Sequence, residues 1–227
     1  VRLVGSEMCI RDSILLASAS ERRRQILSEY LEDRDTCLEF RILREPEQEV
    51  SSGMEVNLQV ESSCIKKAIA AAKEMASETE NVVDIILVSD TLVEDPDDHR
   101  AALGKPKDES SAAFSLIRLS GRRHRVWSST AILSRKIGDI RVGEDWLATI
   151  WTDYAIVEFE HMGEDDIIDL INCRSWEGKA GGYDLAGDAG KFASVVDGEE
   201  VTVLGFSNRA IDSLGGCLLY TSDAADD

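Results

Sequence analysis

The feature that most constrains this chain is the junction between Ile14-Leu15-Leu16-Ala17 and Ser18-Ala19-Ser20-Glu21-Arg22-Arg23-Arg24. An unbroken apolar run this short suits a strand buried on both faces. Ser20 then stands where a helix N-cap belongs, ahead of a helix from Arg22 to Leu31. A buried strand followed at once by a capped helix belongs to α/β architecture.

The same mixture runs through the chain. Leu38 to Leu43 reads as a second strand. Met54 to Met75 places Val56, Val60, Cys64, Ile65, Ala68, Ile69 and Ala72 at helical spacing, which predicts a long amphipathic helix. Val83 to Val88 reads as another buried strand, ending at Ser89-Asp90. Asp95-Pro96-Asp97-Asp98 is a turn by composition, and Glu109 to Leu119 a helix. Arg125 to Leu133 and Thr149 to Phe159 read as two long strands, and Glu164 to Ile171 as a short helix started near Gly163. Beyond the glycine-rich stretch Gly178 to Gly190, Lys191 to Val196 and Glu200 to Leu204 read as strands around Asp197-Gly198. Ser207 caps a last helix to Leu214. These elements define one α/β domain over 13–214, in which the middle strands could form a second lobe. Segments 1–12 and 215–227 continue no periodic pattern and are expected to be non-native or disordered tails.

The net charge of −19 argues against binding duplex DNA or RNA, which is driven by Lys/Arg contacts to phosphate. It leaves room for a small anion held by a local cluster of cations. No apolar run reaches about 18 residues, so no membrane span is expected. The residues before Ser13 lack the long apolar stretch of a secretory signal. The five cysteines, Cys9, Cys37, Cys64, Cys173 and Cys217, form no C-x-x-C pair. A reducing, cytoplasmic setting is therefore the default.

Five places could carry chemistry. At the opening junction, Ser18 and Ser20 offer hydroxyls, the helix start favours anions, and Arg22, Arg23 and Arg24 add charge and bidentate donors. This is a polyphosphate cradle, and equally a capped helix with solvated arginines. Ser89-Asp90-Thr91 sets a carboxylate at the end of an apolar strand, where it could hold Mg²⁺ or take a proton from water, or simply end the strand. Leu103-Gly104-Lys105-Pro106 supplies a cation, as a solvated loop lysine also would. Gly178-Lys179-Ala180-Gly181-Gly182-Tyr183-Asp184-Leu185-Ala186-Gly187 suits a backbone-lined slot for a base or phosphate; it is not a Walker A loop. Glu45, Glu47 and Glu49 surround Pro46 and could complete a hard-metal site with Asp90, or form a solvated face.

In order, Leu16-Ala17-Ser18-Ala19-Ser20-Glu21-Arg22-Arg23, Lys67-Ala68, Ser89-Asp90-Thr91, Leu103-Gly104-Lys105-Pro106, Leu119-Ser120-Gly121 with His124, and Gly178-Lys179-Ala180-Gly181-Gly182-Tyr183 resemble the Maf family over Ile14 to about Leu214. The resemblance implies a house-cleaning pyrophosphatase that cuts nucleoside triphosphates to a monophosphate and pyrophosphate with Mg²⁺ or Mn²⁺. It implies an elongated α/β fold shared with inosine-triphosphate pyrophosphatases, a mixed twisted sheet with two lobes and a central cleft. A homodimer is common in the family. The alternative is a nucleotide-binding regulator of septum formation with little catalysis.

Carried over by position, Ser18, Ser20, Arg22 and Arg23 would hold phosphates, with Lys67, Lys105 and Lys179 also on the substrate. Asp90 would be the general base and a metal ligand. Glu49, or Glu47 in the alternative register, would join it at the metal. Glu21 replaces the usual proline, Ser89 the usual alanine, and Ala186 a glutamine tied to base choice in the thymidine- and uridine-triphosphate branch. Thr91 matches that branch, so Thr91 and Ala186 point in opposite directions.

Overall fold

The computed structural model describes residues 12–34, 36–44, 53–76 and 83–222, with backbone alone from 217 onward. One eight-stranded sheet organises the chain in the order β2-β1-β3-β5-β7-β6, with β4 beside β3 and β8 beside β7. The strands are β1 (Asp12–Ala17), β2 (Thr36–Arg41), β3 (Ile85–Asp95), β4 (Asp98–Leu103), β5 (Arg123–Ser134), β6 (Ile140–Arg141), β7 (Leu147–Phe159) and β8 (Ala193–Asp197). β1 runs parallel to β2 and β3. The ladders β3–β5 and β5–β7 are antiparallel. The sheet is thus mixed, as expected.

The helices are α1 (Glu21–Leu31), α2 (Val56–Ala76), α3 (Glu109–Leu119), α4 (Glu164–Asn172), α5 (Glu200–Leu204) and α6 (Asn208–Ser222). α1 starts behind Ser20, whose side chain accepts from the Arg23 N–H. α3 starts behind Asp108, which bonds the Ser111 N–H in a capping box.

Side-chain alternation along β3 divides the core between two helical layers. Ile86 and Val88 pack with Cys64, Ala68 and Ala72 of α2. Ile85 and Leu87 face the other way, onto Leu27 of α1 and Phe206 and Leu214 around α6. A third cluster gathers Val93, Leu116, Leu119, Val157, Phe159 and Leu170 beneath α3 and α4. In this way one strand serves two packing surfaces and then continues into a third.

Three expectations need correction. Glu200–Leu204 is the helix α5, not a strand. Its β-branched residues suggested a strand, yet the Gly205 N–H closes a helical turn onto the Val201 carbonyl. β3 does not end at Ser89-Asp90 but runs on to Asp95. α6 continues past Leu214 to Ser222, through part of the segment expected to be a tail. Glu45, Glu47 and Glu49 lie outside the described residues.

Candidate active site

The site follows from a gap in the sheet. β1 pairs with β3 only at Ile85–Leu87, and β4 rejoins the same edge of β3 at Val93. Between them, Val88–Leu92 pair with β5 on one side alone among the described residues. The Ser18–Ser20 loop leaves β1 at the mouth of this gap and leads into α1. Ligands of open α/β sheets bind in crevices of this kind, beyond strand ends where connections diverge. A cavity of about 470 Å³ opens there. Ser18, Ser20, Arg22, Arg23, Lys67, Asp90, Thr91, Lys105 and Lys179 line it.

Period-two alternation then distributes the chemistry. Asp90 follows Ile86 and Val88 onto the α2 face, where Lys67 Nζ donates to Asp90 Oδ1 at 2.7 Å. Burial alone would raise the Asp90 carboxyl. The Lys67 ammonium, hydrogen bonds from Lys67 and Ser63, and the Arg23 charge outweigh it and hold the group below its ordinary 3.8. Asp90 is therefore an ionised carboxylate inside a cation-lined cleft.

Ser89 and Thr91 face the opposite layer. Ser89 Oγ donates to the Gly205 carbonyl at 2.7 Å. Arg23 Nε donates to the same carbonyl at 2.8 Å, Arg23 Nη2 to Thr91 Oγ1 at 2.9 Å and Arg23 Nη1 to Ser18 Oγ at 3.4 Å. Thr91 Oγ1 also meets Ser128 Oγ at 2.8 Å. Three groups, Gly205, Thr91 and Ser18, thus fix the Arg23 guanidinium at the cleft floor. Gly205 sits at φ +126°, and a Cβ there would meet Arg23 Nε at 2.8 Å, so the position requires glycine.

Glu21 does not oppose the cradle. Its carboxylate takes Arg24 Nη1 at 3.2 Å and is 83% exposed. Arg24 in turn stacks over Phe40, 5.3 Å from the ring centre. Arg22 donates instead to Asp184 Oδ2 at 3.0 Å.

The glycine-rich segment closes the cleft. The Gly181 N–H bonds the Gly104 carbonyl at 3.0 Å, which brings Lys179 and Lys105 to one cavity. Gly181 lies at φ +69°, where a Cβ would strike Val93 Cγ2 at 2.9 Å. Tyr183 Oη meets His124 Nε2 at 2.9 Å in the core beneath. Burial pushes His124 down to about 4, so the imidazole is neutral, and it pushes the Tyr183 phenol up. Ala186 is exposed and does not line the cavity. Ser63 and Asp184, both touching site residues, were missed by the sequence reading. Asp184 stood within the glycine-rich motif, and nothing in that motif signals a partner 162 positions away.

A hard divalent cation fits this donor chemistry. Mg²⁺ is commonly held by one or two carboxylates together with substrate phosphates and water. Asp90 supplies one ionised carboxylate beside the cations that line the cavity. Among the described residues no group of three His, Cys, Asp or Glu forms a cage by itself. The substrate's own oxygens would complete the coordination, and the cation would supply charge neutralisation at the phosphates.

Fold and site together define an α/β protein with a cation-lined crevice beside one ionised carboxylate. Residues 13–214 match the Maf-like protein family, and the chain belongs to it. A dTTP/UTP pyrophosphatase of Clostridium botulinum (strain Hall) is 32% identical over 204 residues, covering 89% of this chain and 95% of that protein. The dTTP/UTP pyrophosphatase of Alkaliphilus oremlandii is 31% identical over 195 residues, covering 85% and 88%. A HAM1 protein from Coxiella burnetii overlaps with a TM-score of 0.43 at 16% identity, covering 65% of this chain and 73% of that one. The family assignment rests on the sequence match.

Proposed function

We propose that this protein hydrolyses nucleoside triphosphates to a monophosphate and pyrophosphate. The observation that carries the reading is the ionised Asp90 within a cleft lined by Arg22, Arg23, Lys67, Lys105 and Lys179. Cleaving a phosphoanhydride calls for positioning and charge stabilisation, which these cations supply. It also calls for an oriented water, for which Asp90 is the acceptor. The family membership supports the same activity. A non-catalytic regulator gains no support from this geometry and is set aside.

The relatives' named substrates make thymidine and uridine triphosphates the first to test. Ala186 has no side-chain group to bond a base, so base choice here falls on groups lining the cavity. The proposal includes Mg²⁺ or Mn²⁺ as the cation, a cytoplasmic setting and a homodimer. The deciding experiment incubates the full chain with each standard and modified triphosphate, with Mg²⁺ or with a chelator, and detects pyrophosphate. Release from one or more triphosphates with the metal is expected. No release from any of them overturns the proposal.

A further inference from the structure

Asp184 projects from the glycine-rich segment onto the first turn of α1. Its Oδ2 accepts from Arg22 Nη2 at 3.0 Å and from Lys179 Nζ at 3.1 Å. Its Oδ1 accepts the Ala186 N–H at 3.1 Å, which fixes the carboxylate's direction. Burial would raise this carboxyl, but the hydrogen bonds and charges of Arg22 and Lys179 hold it below 3.8. One protein carboxylate thus occupies donors on two of the cations that line the cleft. The fit is incomplete: Arg22 Nη1 goes to Gln25, and Arg22 Nε is buried without a partner. A guanidinium facing an oxyanion can engage two parallel donors, and here it engages one.

We propose that Asp184 is an internal stand-in for a phosphate oxygen, displaced from Arg22 and Lys179 when the polyphosphate binds. The inference rests on the pyrophosphatase reading above. In this arrangement Asp184 keeps two like-charged side chains together. A triphosphate carries several charges to the carboxylate's one, so exchange onto Arg22 and Lys179 favours the ligand. Asp184 then remains beside the bound phosphates as a like charge. It weakens the hold on triphosphate and on the pyrophosphate product alike, and so favours product release.

The test is calorimetry of the full chain with inorganic pyrophosphate, alongside KM for the triphosphate. Asp184→Asn keeps the shape and removes the charge. It is expected to tighten pyrophosphate binding roughly two- to fivefold, the weight of one part-exposed like charge, and to lower KM in parallel. Asp184→Glu keeps the charge and is expected to bind as the unaltered protein does. Equal or weaker pyrophosphate binding by Asp184→Asn overturns the proposal and makes Asp184 a brace that positions the cations. If neither the unaltered chain nor the variant binds pyrophosphate, the reading of the cleft itself fails, and this proposal with it.

Discussion

Lys67 Nζ stands 2.7 Å from Asp90 Oδ1, joining the middle of α2 to the open stretch of β3. The pair sits within the cleft, with side chains 18% and 14% exposed. Asp90→Asn keeps the volume and removes the charged acceptor. Pyrophosphate release is expected to fall by roughly 10²- to 10⁴-fold, the usual weight of a positioned acid–base group. Far-ultraviolet circular dichroism should be unchanged. Full activity in a folded Asp90→Asn protein would remove Asp90 from the chemistry.

The same pair makes a statement about pH. With Lys67 present, the Asp90 carboxyl lies below 3.8, so its stabilising contribution is present above 3.8 and lost as pH falls through the folded value. In Lys67→Met the largest lowering influence is gone and burial raises the carboxyl instead. Asp90 then favours the folded state below 3.8 and loses that contribution as pH rises through its new, higher value. Urea unfolding of both proteins across this range should show acid dependences of opposite sign for this group. Parallel curves would mean that Lys67 does not set the ionisation of Asp90. The consequence for turnover is direct: a substrate that draws the Lys67 ammonium onto its phosphates also makes Asp90 a stronger base.

Arg23 and Gly205 form a second unit. Arg23→Lys retains the charge but cannot reach Gly205, Thr91 and Ser18 at once with a planar fork. A drop in kcat/KM of about 10- to 100-fold is expected, on the order of 1.4–2.7 kcal/mol. Gly205→Ala should produce a loss of the same kind by pushing the guanidinium from its seat. If both variants act through Arg23, the double variant will lose much less than the product of the two single losses. Multiplicative losses would separate Gly205 from the arginine.

Much of this is legible in the sequence. The helix expected at Glu109–Leu119 agrees to the residue, closed by Ser120-Gly121 as its sequence suggests, and the structure adds the Asp108 cap that starts it. The strand-to-helix junction at Ser18–Ser20 is legible as a local cap beside an apolar run. The nature of the gap in β3 is not. Ser89 to Leu92 alternates between two different layers at a place where, among the described residues, one edge has no neighbouring strand, and absence of a neighbour leaves no periodic signature. α5 was misread because Val201, Thr202 and Val203 favour strands, whereas tertiary contacts decide a five-residue helix. There, Ser128 Oγ donates to the Thr202 carbonyl at 2.7 Å. The cations and Asp90 were found by order in the chain, while their pairings (Arg22 with Asp184, Arg23 with Gly205) span distances that only the fold closes.

His124 offers a test of the core beneath the cleft. It is 4% exposed, with Nε2 on Tyr183 Oη and Nδ1 buried without a partner. Burial lowers its folded value from 6.5 to about 4. A depressed value means that its stabilising contribution is present above 6.5 and lost as pH falls from 6.5 to about 4. At 1.36 kcal/mol per unit, about 3 kcal/mol should be lost over that interval. His124→Phe cannot take up the proton, so this part of the acid dependence should vanish, which urea unfolding at a series of pH values would read. The phenylalanine also strands the Tyr183 hydroxyl, at a cost of about 1–3 kcal/mol that does not vary with pH in this range. His124→Phe should therefore be less stable than the unaltered chain at pH 7 and close to it or ahead of it at pH 4. A constant gap between the two proteins at every pH would mean that the imidazole takes its proton as readily in the core as in water.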